Sequence, residues 1–380
     1  MKEVVTGTGD KVKDKANLEA AFQTLGENDT LVLRKDIFWE GNYTAKCNII
    51  RRDGCVDISD SASIVWNPNL VYTKALKPFE PYDDFIKADL NRGDIVMLVS
   101  DDAIQDTRTH FPDGKQCPIE MHTIADKVGD KAILEESLRS PFTLNPRYLK
   151  IPKQRVRVEG IRGVATSQND YKSFLIFKGV SVSVQDVIFE RNGPGAILLQ
   201  FCTNSSVKNC TILGTYQDEL VYGIVVGACN ATLIKDNFIS GCRHAFTTTA
   251  GGIDGTSRYG VPLNTVVSGN IIKVPTNTLS RIGLDTHCEE NGTIFENNVV
   301  TGGRHAYGIQ TRGKNTIIRN NKAMNIVSYG HNATIIGNIC EKIMIKEFTS
   351  TLMGNKTKQI EGKAIYNCAE GVWHGIGQPY

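Results

Sequence analysis

The chain contains 380 residues, of which 41% are hydrophobic and 22% are charged, and its formal net charge is +2. This is the composition of an ordered soluble protein, and a charge so close to zero creates no overall field that would attract nucleic acid or an anionic membrane. Any preference for an anionic ligand must therefore be local. No stretch approaches about 18 consecutive apolar residues, and the N-terminal residues lack the apolar segment of a signal peptide. We expect synthesis in the cytoplasm without a signal peptide, and no membrane insertion.

The N-terminal segment carries the pattern of one amphipathic helix. Residues 14–25 place apolar side chains, from Leu18 to Leu25, on one helical face, and Gly26 follows as the predicted end of the helix. A strand is predicted directly afterwards, at residues 30–34. A helix in this position would cover the open end of a stack of strands, where backbone groups are otherwise unpaired.

The middle of the chain has a different pattern from the rest. Residues 75–90 contain Pro, Lys and Asp and predict a loop, and longer strands joined by turns follow, from 93–99 to 155–158. The sequence therefore predicts three regions, namely an N-terminal cap with the first coils (1–90), a small inserted β region (91–157) and regular coils (158–380).

The regular coils are predicted from a short repeat in which Thr is followed by two apolar residues and then, a little further on, by Asn. Successive Thr residues lie 33, 28, 23, 18 and 17 residues apart. Repeats of this size cannot bury an apolar face alone and must stack on their neighbours. Because the repeats are β-branched, Gly-rich and Asn-rich, they predict an all-β right-handed parallel β-helix. The copies are Thr232–Asn237, Thr265–Asn270, Thr293–Asn297, Thr316–Asn320, Thr334–Asn338 and Thr351–Asn355.

A second strand in each coil carries the candidate site. If Gly283 and Gly308 are in register, alternation turns Leu284 and Ile309 towards the core. The residues that then stack on the outer face are Asp285 on Gln310 and His287 on Arg312. Neighbouring strands are about 4.8 Å apart, so these four side chains would form one exposed patch.

Further His, Arg and acidic residues precede these strands at equivalent places. They are Arg243, His244, Arg304 and His305, with Asp218 and Glu219 before the Gly223 strand. Arg binds carboxylate or phosphate, while His and Asp exchange protons near neutral pH, so the set suits a polyanionic substrate. The alternative is that each Arg-His pair merely solvates a turn. Glu290, in the turn that follows, is interpreted as a solvated charge.

Two further features bear on the site. The segment 250–264, which contains Arg258 and Tyr259, interrupts the coils beside the Arg-His residues and is expected either to form one wall of a binding groove or to be a tolerated surface loop. Ten Cys residues show no CxxC pair, and those in the repeats are predicted to be small buried side chains in a reducing compartment. We expect no metal and no cofactor.

The helix and strand at the N-terminus, the Gly93-Asp-Ile-Val segment and the Asn-bearing coils together resemble the pectate-lyase-like β-helix superfamily, and most of all phage tailspike and appendage depolymerases. The resemblance covers nearly the whole chain but matches no catalytic signature. It implies a homotrimer in a phage tail that acts outside the cell at the host surface. It also implies binding and cleavage of a bacterial surface polysaccharide, or of teichoic acid in some relatives.

These observations predict a depolymerase for an anionic surface polymer, with hydrolysis favoured over elimination. Proton transfer is assigned to Asp285 and His287, with His244 or His305 as partner, and the arginines would hold the anionic group. If the enzyme is a glycosidase, Asp218, Glu219 and Asp285 are the carboxylates to test. The alternatives are a non-catalytic glycan receptor-binding spike and a polysaccharide lyase of the pectate-lyase type.

Overall fold

The computed structural model describes residues 1–58, 62–67, 74–102, 117–165, 173–192, 195–214, 221–248, 258–260, 262–275, 282–286, 290–302 and 307–370. Within these residues the chain is a right-handed parallel β-helix with one helix near its N-terminus and a small inserted β region. The predicted fold class is therefore confirmed. No helix in these ranges is long and apolar enough to cross a bilayer.

The elements are short strands with a single helix. The N-terminal elements are β1 (Lys2–Thr6), α1 (Lys11–Thr24), β2 (Thr30–Arg34), β3 (Ile37–Trp39), β4 (Asn42–Thr44), β5 (Asn48–Arg51), β6 (Val56–Ile58) and β7 (Ser63–Trp66). The next elements are β8 (Lys74–Ala75), β9 (Phe85–Lys87), β10 (Ile95–Val99), β11 (Cys117–Val128), β12 (Lys131–Leu134) and β13 (Arg147–Ile151). The coils continue with β14 (Arg155–Glu159), β15 (Arg162–Ala165), β16 (Ser173–Lys178), β17 (Ser181–Gln185), β18 (Ile188–Asn192), β19 (Gly195–Gln200), β20 (Thr203–Lys208), β21 (Thr211–Gly214), β22 (Tyr222–Gly227), β23 (Asn230–Lys235), β24 (Phe238–Ser240), β25 (His244–Thr248), β26 (Arg258–Gly260), β27 (Val266–Ser268), β28 (Ile271–Val274), β29 (Ile282–Asp285), β30 (Ile294–Glu296), β31 (Val299–Gly302), β32 (Tyr307–Thr311), β33 (Ile317–Arg319), β34 (Asn325–Ser328), β35 (Thr334–Ile336), β36 (Ile339–Ile345), β37 (Ser350–Glu361) and β38 (Ala364–Glu370).

The solenoid has three faces, and each face is a parallel sheet built from the strands of successive coils. Face 1 contains β4, β7, β16, β19, β22, β25, β29, β32 and β34. Face 2 contains β1, β2, β5, β14, β17, β20, β23, β27, β30, β33 and β35. Face 3 contains β3, β6, β15, β18, β21, β24, β28 and β31. The long strands β36 and β37 continue around the corners from one face to the next.

The core consists of aliphatic side chains stacked in register from coil to coil. On face 2, one such row is wholly buried through eight coils, because alternate residues of every strand point inward. Its members are Val184, Val207, Ile234, Val267, Phe295, Ile318, Ile335 and Leu352. This row explains the apolar pairs of the sequence repeat.

The Asn of the repeat forms a buried ladder at the corner between faces 2 and 3. From Asn270 onwards, each Oδ1 accepts hydrogen bonds from the backbone N–H and from Nδ2 of the preceding Asn, as at Asn298, which accepts both bonds from Asn270 at 2.9 Å. The Oδ1 of the first member, Asn237, accepts from the backbone N–H of Cys210. The residue before each Asn has a positive φ, for example +67° at Gly269, which favours Gly, Asn or Asp there. The members are Asn237, Asn270, Asn298, Asn321, Asn338 and Asn355. In two copies the ladder residue is therefore the second Asn of an Asn-Asn pair.

Helix α1 covers the N-terminal end of the solenoid, as predicted, although it begins at Lys11 rather than at residue 14. The Asp10 carboxylate caps it by accepting from the backbone N–H of Val12 and Lys13. Leu18 is fully buried, and Phe22 packs on the aromatic rings of the first coils.

The inserted region forms its own antiparallel sheet and differs from the prediction at both ends. Strands β8 and β9, in the segment predicted to be a loop, pair within the inserted sheet. Strand β14, predicted to belong to the insertion, pairs instead with β5 and β17 on face 2. One side of the sheet encloses a small core, and the other side packs Met97 and Met121 on Phe201 and Ala228 of the coils.

The cysteines for which the structure describes a side chain are not disulfide-bonded, and all of them except the half-buried Cys55 are buried. Burial raises the pKa of the Cys210 thiol to about 12 and that of Cys340 to about 11. A thiol with so high a pKa is mostly protonated and unreactive at neutral pH, so its role is packing. The predicted burial of Cys210 and Cys340 is confirmed, and Cys288 lies outside the described residues.

Candidate functional site

The predicted register of the site strands is confirmed. Strand β29 pairs with β32 so that Leu284 lies beside Ile309, both in the core, and Asp285 lies beside Gln310 on the outside of face 1. The side chains of the outer pair are joined, because Gln310 Nε2 donates to Asp285 Oδ1 over 3.0 Å. Side chains more than twenty residues apart in sequence thus meet on neighbouring coils.

Two basic side chains flank the second oxygen of Asp285. His244 Nδ1, on strand β25, lies 3.8 Å from Asp285 Oδ2, and a terminal guanidinium nitrogen of Arg312 lies 3.7 Å from the same oxygen. The His244 ring stacks on Tyr222, with the centroids 5.4 Å apart and the rings 17° from parallel. We define Asp285, His244, Gln310 and Arg312 as the face 1 cluster. It places one carboxylate between an imidazole and a guanidinium, an arrangement that can bind an anion and move a proton.

The face 1 cluster is more buried than the sequence predicted. Asp285 is 0% exposed, His244 1% and Gln310 3%, whereas the Arg312 side chain is 16% exposed. These residues lie outside the core of the solenoid, as expected, but the expectation of a solvent-exposed patch was wrong. Only the Arg312 end of the cluster is open to solvent. In this low-polarity environment the attraction between Asp285 and its basic neighbours is stronger than it would be at the surface.

In the middle of face 1, the outward row of side chains that contains Asp285 is polar over three coils, at Thr247, Asp285 and Gln310. In the same outward row, the coils on one side carry Leu198 and Val225 and those on the other carry Val327 and Met344. Thr247 precedes Asp285 in the row and is also buried. The coils that flank this polar stretch carry apolar residues in the row, so packing alone does not require a carboxylate at position 285.

The other predicted site residues are placed as follows. Arg243 is half-buried directly before β25, and its backbone N–H donates to Val221 O over 2.7 Å. The backbone of Arg258 and Tyr259 forms β26, which pairs with β11 of the inserted sheet. Their side chains lie outside the described parts of the chain. So do five predicted residues, namely His287, His305, Asp218, Glu219 and Arg304.

Glu290 lies inside the solenoid, and its interpretation as a solvated charge was wrong. It is 0% exposed, and its Oε1 accepts from the hydroxyls of Thr316 (2.7 Å) and Thr311 (3.2 Å). Gly313 makes room for it, since a Cβ there would lie 2.3 Å from the Glu290 side chain. Desolvation raises the pKa of Glu290, and the neighbouring threonine hydroxyls, two of which donate to Oε1, oppose the rise.

Neither a protein-family model nor a curated protein sequence matches the chain. Solved structures do match. Tailspike gp49 of Pseudomonas phage LKA1 has a TM-score of 0.65 at 12% identity, covering 96% of this chain and 74% of that one. Tailspike gp61 of Pseudomonas phage phi297 has a TM-score of 0.59 at 14% identity, with coverages of 95% and 67%. The Gp54 tailspike of Acinetobacter baumannii bacteriophage AP22, in complex with A. baumannii capsular saccharide, has a TM-score of 0.58 at 10% identity, with coverages of 95% and 74%.

The chain has the parallel β-helix fold of phage tailspikes. The resemblance inferred from the sequence is thereby confirmed at the level of the fold. At these identities the similarity carries no site residue from one chain to another, so the face 1 cluster rests on its own geometry. No group of three or more His, Cys, Asp or Glu that could hold a metal occurs in the described ranges.

Sequence reasoning missed Tyr222 and the interior setting of Glu290. Tyr222 occupies the same register position on β22 as His244 on β25, so extending the strand alignment by one coil would have found it. Glu290 could not be found from the threonines alone. Thr293 and Thr316 fall in an inward row that also carries Ser205, Thr232 and Thr265 in other coils, so a buried hydroxyl there is a feature of the repeat and does not mark Glu290.

We expect Glu290→Gln to remove a pH dependence from the stability of the protein. The folded state raises the pKa of Glu290 above its unfolded value of about 4.3, so the folded state binds the proton more tightly. Stability is therefore greatest below the unfolded pKa and falls as pH rises towards the folded pKa, by up to about 1.4 kcal/mol per pH unit. The neutral amide should abolish that loss. The threonine side chains that contact Glu290 are uncharged.

The measurement is urea unfolding of both proteins from pH 4 to pH 8. Glu341→Gln is the matched control, because the Glu341 side chain is 71% exposed on β36. The stability of Glu290→Gln relative to the wild type should increase with pH, whereas that of the control should not. Parallel pH profiles for wild type and Glu290→Gln would show that folding does not change the pKa of Glu290, and the prediction would be wrong.

Proposed function

We propose that the protein is a tailspike-type depolymerase that cleaves an anionic bacterial surface polymer, either a capsular or exopolysaccharide or a teichoic acid. The observation that carries the proposal is the face 1 cluster, in which Asp285 lies between His244 and Arg312 on three neighbouring coils. The tailspike fold supports it, and one of the similar tailspikes is described as a complex with capsular saccharide. The protein would act outside the cell, as part of a phage tail.

In the proposed mechanism, Arg312 binds the anionic group of the polymer at the open end of the cluster. Asp285 fixes the orientation of the His244 imidazole and stabilises its protonated form, and His244 transfers a proton at the scissile bond.

His287 and His305 remain proposed proton-transfer partners, and Arg243 and Arg304 remain proposed anion ligands. Asp218 and Glu219 are the additional carboxylates for a glycosidase mechanism. Hydrolysis is favoured over elimination, and the proposed chemistry uses no metal or cofactor.

The test is incubation of the purified protein with a panel of capsular polysaccharides and teichoic acids, followed by light scattering on a sizing column. We expect the molar mass of one polymer to fall with time. If no polymer in the panel is shortened or bound, the proposal is wrong.

The burial of Asp285 and His244 favours a second candidate function, a non-catalytic receptor-binding spike. In that case the carboxylate holds Arg312 in position, and the exposed part of the guanidinium grips an anionic glycan. The sizing experiment separates the two functions, because a spike of this kind binds a polymer without shortening it.

We also propose that the protein is a homotrimer. Two outward apolar rows support this, since large exposed apolar surfaces commonly mark protein interfaces. On face 3 the row consists of Ile271, which is 50% exposed, and Val299, which is 36% exposed. It continues past Lys322 to Ile339, which is 52% exposed. The half-buried row on face 2 consists of Leu233, Val266, Ile294 and Ile317.

The double variant Ile271→Asp and Ile339→Asp should sediment as a monomer, whereas the wild type should sediment as a trimer. Charged side chains cannot be buried at an apolar interface without a large desolvation cost. Val128→Asp, at a 61% exposed position of the inserted sheet, is the control. A trimeric double variant would exclude these rows from the interface.

A further inference from the structure

A groove of about 320 Å³ lies on the outside of face 2, where the chain passes through β5, β14, β17 and β20. It is on a different face from the face 1 cluster, and its coils precede those of β25, β29 and β32. Its lining combines guanidinium, hydroxyl and amide groups. Its polar lining residues include Arg155, Arg157, Ser181, Ser183, Asn204 and Ser206.

The polar groups of the groove are stacked in register. Arg157 lies beside Ser183, which lies beside Ser206, and Arg155 lies beside Ser181. Neighbouring strands are about 4.8 Å apart, so the hydroxyls and guanidinium groups form short rows along the solenoid axis. Asn48 fixes the lower end, because its Oδ1 accepts from the backbone N–H of Arg157 over 2.7 Å.

The outward row of face 2 that lines the groove can also hold apolar side chains. In the very row that carries Arg157, Ser183 and Ser206, the coils that follow carry Leu233 and Val266. An apolar residue is therefore compatible with the backbone at this row. The change to hydroxyl and guanidinium groups coincides with the groove, which indicates that the groove binds something polar.

The charge of the groove is positive. The Arg157 guanidinium pairs with the carboxylate of Glu159, so its charge is largely compensated. Arg155 is exposed and makes no ion pair with any described residue. The described residues that line the groove include no His, Asp or Glu, so they offer no group that could serve as a general acid or base.

We propose that this groove is a second glycan-binding site, which holds an anionic sugar unit without cleaving it. Arg155 binds the carboxylate or phosphate of the sugar, and the serine hydroxyls and the Asn204 amide bind its hydroxyl groups. The volume is at the lower end of the range for small-ligand sites, about 300–1,000 Å³, so it suits one or two sugar units. The choice of an anionic glycan rests on the proposed function, whereas the anion-binding chemistry rests on the groove itself.

The experiment measures binding directly by titration calorimetry, so its result does not depend on whether the protein cleaves a polymer. The probes are a galacturonate tetramer, a glycerol phosphate oligomer and, as a neutral control, maltotetraose. Three variants are compared with the wild type. Arg155→Gln removes the unpaired charge, and Ser183→Val introduces the residue type found at Val266 in the same row. Arg162→Gln is the matched control, because Arg162 is exposed and paired with Glu190 on face 3.

We expect Arg155→Gln to weaken binding of one anionic probe at least tenfold and Ser183→Val to weaken it several-fold, while Arg162→Gln binds as the wild type does. Added salt should weaken wild-type binding more than binding by Arg155→Gln. Equal affinities of wild type and Arg155→Gln would overturn the site. The site would also be overturned if the wild type bound neither of the two anionic probes, even if the protein shortened a polymer in the sizing experiment.

Discussion

Asp285→Asn should reduce the rate of polymer cleavage at least 100-fold while leaving the fold intact. The amide has the shape of the carboxylate, and its oxygen can still accept from Gln310 Nε2. It lacks the negative charge that faces His244 and Arg312. Without that charge the imidazolium form of His244 is no longer stabilised, and general acid–base catalysis commonly contributes about 10²–10⁴-fold to a rate.

The measurement is the initial rate of chain scission on the polymer identified by sizing, with polymer binding measured in parallel. Glu296→Gln is the matched control, because Glu296 forms an ion pair with Arg319 on face 2, away from the cluster. His244→Asn should cause a similar loss, and the double variant should be little worse than either single one, because the two residues act as a unit. Wild-type rates for Asp285→Asn would remove Asp285 from the mechanism.

Asn298→Ala should lower the free energy of unfolding by about 3 kcal/mol, since it breaks the ladder in the middle and leaves buried polar groups unsatisfied. Asn298 accepts from the backbone N–H and Nδ2 of Asn270, and its own Nδ2 donates to Val267 O (2.8 Å) and Asn321 Oδ1 (2.9 Å). Removing the side chain deprives the Asn270 backbone N–H of its acceptor.

Urea unfolding tests this, with Thr301→Ala as the control at an exposed position of β31. Asn298→Asp is a second diagnostic variant. It keeps the acceptor atom but turns the donor into an oxygen that faces Val267 O and Asn321 Oδ1, so it should also destabilise the protein at neutral pH. If Asn298→Ala unfolds at the same urea concentration as the wild type, the ladder contributes nothing measurable.

Sequence periodicity predicted those parts of the fold that depend on neighbouring coils. Alternation along a strand determines which side chain faces inward, and the glycines at 283 and 308 fix the alignment of two coils, so the Asp285–Gln310 contact could be derived. Alignment of the coils by the Thr of the repeat is wrong by one residue where a coil is shorter. Thr334 and Thr351 belong to the repeat in sequence, yet they lie beside the outward Ile317 and not beside the inward Thr316.

The parts that were not predicted depend on contacts between distant segments. The Glu289-Glu290 pair has the composition of a polar turn, and only the placement of the surrounding threonines shows that Glu290 enters the interior. Likewise, β8 and β9 are two- and three-residue strands whose antiparallel partners lie 44–74 residues away, so local patterns give no indication of them. The burial of the face 1 cluster is also a tertiary effect, since alternation predicts the direction of a side chain and not what covers it.

The pairing of β11 with β26 links the inserted sheet to the cluster mechanically. Residues 258–260 lie on the connection that leaves the His244 strand and returns as the Asp285 strand. That connection is anchored to a strand near residue 118, which is more than a hundred residues earlier in the chain. The direct pairing of β25 with β29 holds the two cluster strands in register, while the connection between them is tied to the inserted sheet. We therefore expect a substrate or neighbouring subunit that displaced this sheet to strain the connection between the two cluster strands.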